Sequence, residues 1–289
     1  LILDCLEEND CLLVTLSGGE PLTHPNFKSI FLKLKERGFF VTVCTNAVLL
    51  DNDHVDLFKR YPPYSLEISI YGANKKHFKA VTGRDQFKNF VRALDLLRAN
   101  SIDFQLKVPL TAKTLIGIDE IEEYAKLLDV PFQVGTLTYP RFDGDQSNLS
   151  QRIPVEDVLN YESTNFNEFL EWKKETSRKF KVANGLRCSN AARNSILIDS
   201  TSHIAFCGML RNPKHKFTSK LSFSKALKTA FEFRNILEMH YSNGPCGSCE
   251  IADMCLGCPA QSYLHTGFLD RCIPYFKKLA EDRMSIQGN

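Results

Sequence analysis

Four thiols within thirteen residues, Cys246, Cys249, Cys255 and Cys258, constrain this chain more than any other feature. A thiolate is a soft, charged ligand that favours zinc or iron-sulfur clusters over hard cations, so thiols this close in sequence point to metal. Cys188 and Cys207 precede the stretch and Cys272 follows it, which puts seven of the ten cysteines in this last part of the chain. A structural zinc takes four ligands, and seven thiols fill two such sites awkwardly. They suit two iron-sulfur clusters, one held by four cysteines and one by three. Cysteines in CxxC pairs, in a chain with no secretion signal, read as metal ligands in a reducing cytosol rather than as disulfides.

The totals exclude several classes. Thirty-six basic residues against 34 acidic ones give a net charge of +2, and 43% of residues are apolar. That is ordinary globular composition, with no surface suited to nucleic acid or membrane. No apolar run approaches the ~20 residues of a membrane helix. Residue 1 is leucine, and Leu1 to Glu7 already reads as the interior of an amphipathic helix. The expectation is a chain truncated at its N-terminus.

Strand and helix signals then alternate without a hairpin. Leu12 to Leu16 and Phe39 to Cys44 read as strands buried on both faces. Ser65 to Tyr71, Phe104 to Val108 and Pro131 to Leu137 follow as strands. Helices are expected from Thr23-His24-Pro25 to a stop at Gly38, from about Asp51 to the prolines at 62 and 63, and over Phe87 to Leu97. A further helix carries Ile121, Ala125 and Leu128, with Asp119 and Glu122 spaced as a capping box. This grammar predicts parallel strands with helical crossovers, an α/β barrel-like domain. Beyond a turn at Arg141 to Asp145 lies a helix-like stretch from Val155 to Lys179. Ser195 to Asp199 and His203 to Cys207 then read as a β-hairpin. Cys5, Cys11 and Cys44 read as small buried hydrophobes.

Ser17-Gly18-Gly19-Glu20-Pro21 ends the first strand, where barrel enzymes build their sites. Two glycines let the backbone approach a ligand, and the carboxylate beside them can accept from an ammonium group. The cysteine spacings Cys188-x18-Cys207, Cys246-x2-Cys249-x5-Cys255-x2-Cys258 and Cys272 resemble the seven-cysteine signature of the SPASM domain, found at the C-terminus of many radical S-adenosylmethionine enzymes. Gly18-Gly19-Glu20-Pro21 is similar to the family's cofactor-binding turn. Thr45-Asn46 is similar to its Thr-Asn-Gly, with Ala47 in place of glycine, and Glu67 to Gly72 to the strand whose serine approaches the cofactor ribose. Tyr71-Gly72, His77 to Gly83 and Pro140 to Gly144 look most like SPASM proteins that modify ribosomally made peptides.

The resemblance implies a fold and an activity. The fold is α/β, a partial (β/α)6 TIM-like barrel lacking its first βα unit over residues 1–145. A linker and helix span 146–187, and a small cysteine-rich SPASM domain with a β-hairpin spans 188–289. S-adenosylmethionine would be bound by Gly18, Gly19, Glu20, Pro21, Asn46, Ser69 and Lys107. Cys188, Cys207 and Cys258 would hold one auxiliary 4Fe-4S cluster, with its fourth position open, and Cys246, Cys249, Cys255 and Cys272 the other. The family's CxxxCxxC, which holds a third 4Fe-4S cluster, is expected upstream of Leu1, so that this stretch alone would be inactive. The intact protein would generate a 5'-deoxyadenosyl radical and modify a peptide or small protein by thioether or carbon-carbon bond formation or by oxidation. No side chain is assigned as acid or base. Flavodoxin or ferredoxin would supply electrons, in the cytoplasm, without nucleic acid or membrane. Two other readings remain open: a zinc-stabilised, inactive barrel that binds peptides, and a sulfatase-maturing or tetrapyrrole-modifying enzyme of the same family.

Overall fold

A computed structural model of the chain describes residues 1–164, 195–252, 254, 255 and 257–287. Two compact units divide it, Ile2–Thr138 and Tyr139–Asn289. In the first, helix α1 (Ile2–Glu8) precedes strand β1 (Leu13–Leu16), followed by α2 (Phe27–Glu36), β2 (Phe40–Thr45), α3 (Asn52–Arg60) and β3 (Ser65–Ser69). Helices α4 (Lys75–Thr82) and α5 (Phe87–Ala99) lead to β4 (Gln105–Pro109), and α6 (Ala112–Leu115) and α7 (Ile118–Leu128) lead to β5 (Phe132–Gly135). All five strands are parallel and lie in chain order, as helical crossovers require.

Side chains alternate across this sheet, so each face has its own chemistry. Val41, Val43, Leu66, Ile68, Leu106 and Val108 are buried on one face. The other face carries Thr42, Cys44, Ser65, Glu67, Ser69, Gln105 and Lys107, aligned by the strand register. The first two strands are therefore not buried on both faces, contrary to the reading of their apolar runs. Leu13 and Phe40, paired in register on the polar face, are 60% and 49% exposed. Apolar content alone does not reveal that a sheet face is open.

Helix ends follow local hydrogen bonding. Asp51 accepts from the His54 amide to start α3, which ends at Tyr61 before two prolines. The expected start at Thr23 to Pro25 is instead a short 3-10 turn, Pro21–Thr23, capped by the Glu20 carboxylate, and α2 begins only at Phe27. The expected capping box at Asp119 is absent: Gly117 precedes α7, and the box lies at Thr111 and Thr114 on α6. Gly117 accommodates the His77 ring, whose Nδ1 lies 2.4 Å from where a Cβ would stand. Helix α4 escaped the sequence reading, although Asn74 caps its start and Gly83, at φ +70°, its end.

In the second unit, a 3-10 turn (Ser147–Gln151) precedes α8 (Val155–Ser163). The rest of the helix expected to reach Lys179 lies outside the described residues. The anticipated hairpin is present as β6 (Leu197–Ile198) and β7 (His203–Ala205), and β8 (Lys214–Lys216) extends it to a three-stranded antiparallel sheet. Asp199 organises the turn by accepting from the amides of Thr201 and His203 at 2.9 and 3.0 Å. Helices α9 (Lys220–Asn243), α10 (Pro259–Thr266) and α11 (Pro274–Gln287) complete the unit. Among the described residues, no helix is long and apolar enough to cross a membrane.

One buried charge pair joins these pieces. Arg283 on α11 is 1% exposed and forms a bidentate pair with Glu162 on α8, its Nε donating at 2.9 Å. Its Nη1 donates to the carbonyl of Met254, inside the cysteine stretch, at 3.2 Å. Removing one member of such a pair strands a buried charge. Arg283→Met is therefore expected to destabilise the second unit by ~3 to 5 kcal/mol in urea unfolding, and a loss near zero would refute its anchoring role. In the first unit, a Cβ at Gly72 would lie 2.5 Å from the backbone nitrogen of Phe78. Gly72→Ala is expected to cost ~1 to 3 kcal/mol through displacement of α4, measurable by the same unfolding curve.

Candidate functional site

The C-terminal ends of β1 to β4 gather the residues that the sequence singled out. Gly18 sits at φ +141°, a conformation that L side chains rarely adopt, and a Cβ on Gly19 would meet nothing within 4 Å. The turn after β1 thus offers open backbone beside Glu20. Glu20 is drawn back across the strand ends by its own hydrogen bonds. Its Oε1 accepts from the Thr45 hydroxyl at 2.6 Å and from the Leu22 amide at 3.1 Å, and its Oε2 accepts from the Asn46 amide at 2.7 Å. Pro21 opens the 3-10 turn directly after it.

Asn46 turns the chain after β2 by accepting from the Val48 amide at 3.0 Å. Ala47, which stands where the family carries glycine, is buried and takes φ +61°, the left-handed conformation that glycine favours. Ser202 in the hairpin turn likewise takes φ +61°.

Ser69 and Lys107 are register partners on β3 and β4. The Lys107 ammonium lies 2.7 Å from Glu67 Oε2, a residue that the sequence reading did not select. Its signal was the alternation of Glu67 with Leu66 and Ile68, which assigns it to the sheet's polar face. Gln105 Nε2 donates to Glu67 Oε1 at 3.3 Å and to the Ser65 hydroxyl at 3.1 Å. Cys44 Sγ donates to Glu67 Oε2 at 3.3 Å. Burial, then the Glu67 charge, push the Cys44 thiol up to about 12, so it remains protonated at neutral pH and acts as the donor. Cys44 is thus part of a polar network, rather than the buried hydrophobe expected, because it lies on the sheet's polar face.

The cysteines of the second unit fall into distinct surroundings. None of the nine described cysteines forms a disulfide, and Cys188 lies outside the described residues. Burial pushes the Cys246 thiol up to about 11, and the charges of Cys255, Cys272, Cys249 and Asp270 push in the same direction. Cys272 is raised by burial and then by Cys255 and Cys249. These four thiols are electrostatic neighbours. Cys258 is the N-cap residue of α10 and contributes, after burial, to raising the phenol of Tyr139. Cys207 lies just beyond β7.

Cys207 and Cys255 each have a sulfur that accepts from the amide two residues on, Met209 at 3.4 Å and Gly257 at 3.3 Å. Among the described residues, no three Cys, His, Asp or Glu side chains are gathered for a single metal ion. The donor chemistry, soft sulfur with backbone amides aimed at it, fits iron-sulfur ligation.

Comparison with known proteins supplies an independent view. Residues 2–128 match the model of the Radical SAM superfamily. An AdoMet-dependent heme synthase of Methanosarcina barkeri is 24% identical, across 88% of this chain and 79% of the relative. A mycofactocin maturase, MftC, of Mycobacterium ulcerans is 25% identical, across 89% and 72%. Among solved structures, anSMEcpe with bound AdoMet and Cp18Cys peptide superposes with a TM-score of 0.71 at 15% identity, covering 94% of this chain and 83% of that one. Streptococcus suis SuiB bound to S-adenosylmethionine gives 0.65 at 15% identity, covering 93% of this chain and 66% of SuiB. The parallel α/β sheet and the separate antiparallel sheet match the radical SAM barrel and SPASM-like domain of these structures. Residues 2–128 are thus similar to the Radical SAM superfamily.

Proposed function

We propose that this protein is a radical SAM enzyme of the SPASM type that modifies a residue of a peptide or small protein. The observation that carries the reading is the meeting of Glu20 with Thr45 and Asn46, and of Ser69 with Lys107, at the strand ends of a stretch that matches the Radical SAM superfamily, on a chain with seven cysteines in its last part. The SPASM resemblance divides those cysteines between two auxiliary 4Fe-4S clusters, Cys246, Cys249, Cys255 and Cys272 at one and Cys188, Cys207 and Cys258 at the other. The peptide substrate is supported by the likeness to MftC, named a maturase, and by the fold of anSMEcpe, solved with a peptide. The heme synthase likeness favours a tetrapyrrole substrate as the second reading.

S-adenosylmethionine, with reduced iron-sulfur clusters, supplies hydrogen-atom abstraction from unactivated carbon. This chain's part is to hold and orient. Glu20 already accepts three hydrogen bonds, and a carboxylate has about four lone-pair sites. One acceptor site is left for the ligand's ammonium group, at a fixed position. Gly18 and Gly19 leave backbone open beside it, Asn46 fixes the turn behind it, and Ser69 and Lys107 supply a hydroxyl and a cation from the next two strands.

Two measurements test the reading. Anaerobic reconstitution with iron and sulfide is expected to give about eight irons per chain, and Cys249→Ser about four. Tight zinc without iron would overturn the redox reading and favour a zinc-stabilised binding module. Glu20→Gln is expected to weaken S-adenosylmethionine binding about 10- to 100-fold in calorimetric titration, the worth of a charge-assisted hydrogen bond. Unchanged affinity would remove Glu20 from the site.

A further inference from the structure

We propose that Glu67 is a resident counterion for Lys107, and that a ligand carboxylate binds at the strand ends by taking the lysine from it. The inference rests on the cofactor-binding reading of these strand ends and extends it to what sets the ligand's affinity. Lys107 shares its register position with Ser69, while its ammonium reaches 2.7 Å to Glu67 Oε2 on the neighbouring strand. Both side chains keep partial access to solvent, 33% for Lys107 and 22% for Glu67.

The surroundings of Glu67 suit such an exchange. Gln105 donates to one oxygen and the protonated Cys44 thiol to the other, and Gln105 is itself braced on Ser65. When the lysine turns away, the carboxylate retains two neutral donors. A half-exposed pair needs no such arrangement for stability, since it contributes little in either case. Lysine is equally suited, because its ammonium is a compact charge with three donors on a flexible stem and can move between two carboxylates without a fixed fork geometry.

The consequence is a preference for ligands that bring their own carboxylate. A carboxylate-bearing ligand replaces Glu67 as partner, while a ligand lacking the group leaves the pair closed and gains nothing from Lys107. Removing the Glu67 charge removes the competitor. The test is calorimetric titration of the reconstituted, anaerobic protein with S-adenosylmethionine and with its decarboxylated analogue. Glu67→Gln is expected to tighten S-adenosylmethionine about fivefold and not to tighten the analogue. Lys107→Arg is expected to retain selectivity for the carboxylate form, and Lys107→Met to lose it. Equal changes for both ligands in Glu67→Gln, or none, would overturn the exchange while leaving the cofactor reading intact. Failure of the unsubstituted protein to bind either ligand would overturn both.

Discussion

The polar face of the parallel sheet is the constraint on which the first unit depends. A parallel sheet is most simply buried on both sides, with apolar residues throughout. Here only one side is apolar, and the other must satisfy its polar groups within the chain or leave them for a ligand. Glu20 is satisfied by Thr45, Asn46 and Leu22, which fastens the end of β1 to the end of β2. Glu67 is satisfied by Lys107, Gln105 and Cys44, which fastens the middle of β3 to its neighbours. Two carboxylates thus bind the sheet laterally where no apolar packing is available. The bonds to Glu20 also fix its carboxylate in the orientation that a ligand would meet, so that residue's structural and preorganising roles have one source.

The second unit meets a different difficulty. Closely spaced thiols oppose one another's ionisation, and burial opposes it further, as at Cys246. Such a segment has little reason to hold its shape through its own side chains. Arg283 gives it an external anchor: the guanidinium, itself fixed by Glu162, grips the Met254 carbonyl next to Cys255. Cys258 is anchored separately, as the residue that opens α10 ahead of Pro259. The loop is thereby held from two directions without either anchor using a sulfur.

Much of this was legible in the sequence, and the failures have physical causes. Period and capping were sufficient for β3, α3 and α5: Leu66 and Ile68 alternate with Glu67 and Ser69, an aspartate opens α3 and paired prolines follow its end, and apolar residues recur at helical spacing along α5. Three features were not legible. The solvent exposure of Leu13 and Phe40 depends on what covers a sheet face, which an apolar run does not encode. The N-cap of α7 is Gly117 rather than Asp119, and its lack of a side chain leaves room for His77, a contact between residues far apart in sequence. Glu67 was passed over because a carboxylate in mid-strand carries no motif, and its meaning depends on Lys107 and Cys44 from adjacent strands.

Charge at the strand ends then accounts for the kind of molecule the first unit would accept. Glu67 and Lys107 neutralise one another, and Glu20 is a carboxylate that accepts from neutral donors. The face is therefore set for a cation at one point and, two strands away, for an anion only when that anion displaces Glu67. On the proposed reading, a ligand that carries both a cation and a carboxylate engages both Glu20 and Lys107. One that offers only a cation satisfies Glu20 alone. Discrimination between them comes from a competing charge rather than from shape, and it needs no residue beyond those that already hold the sheet together.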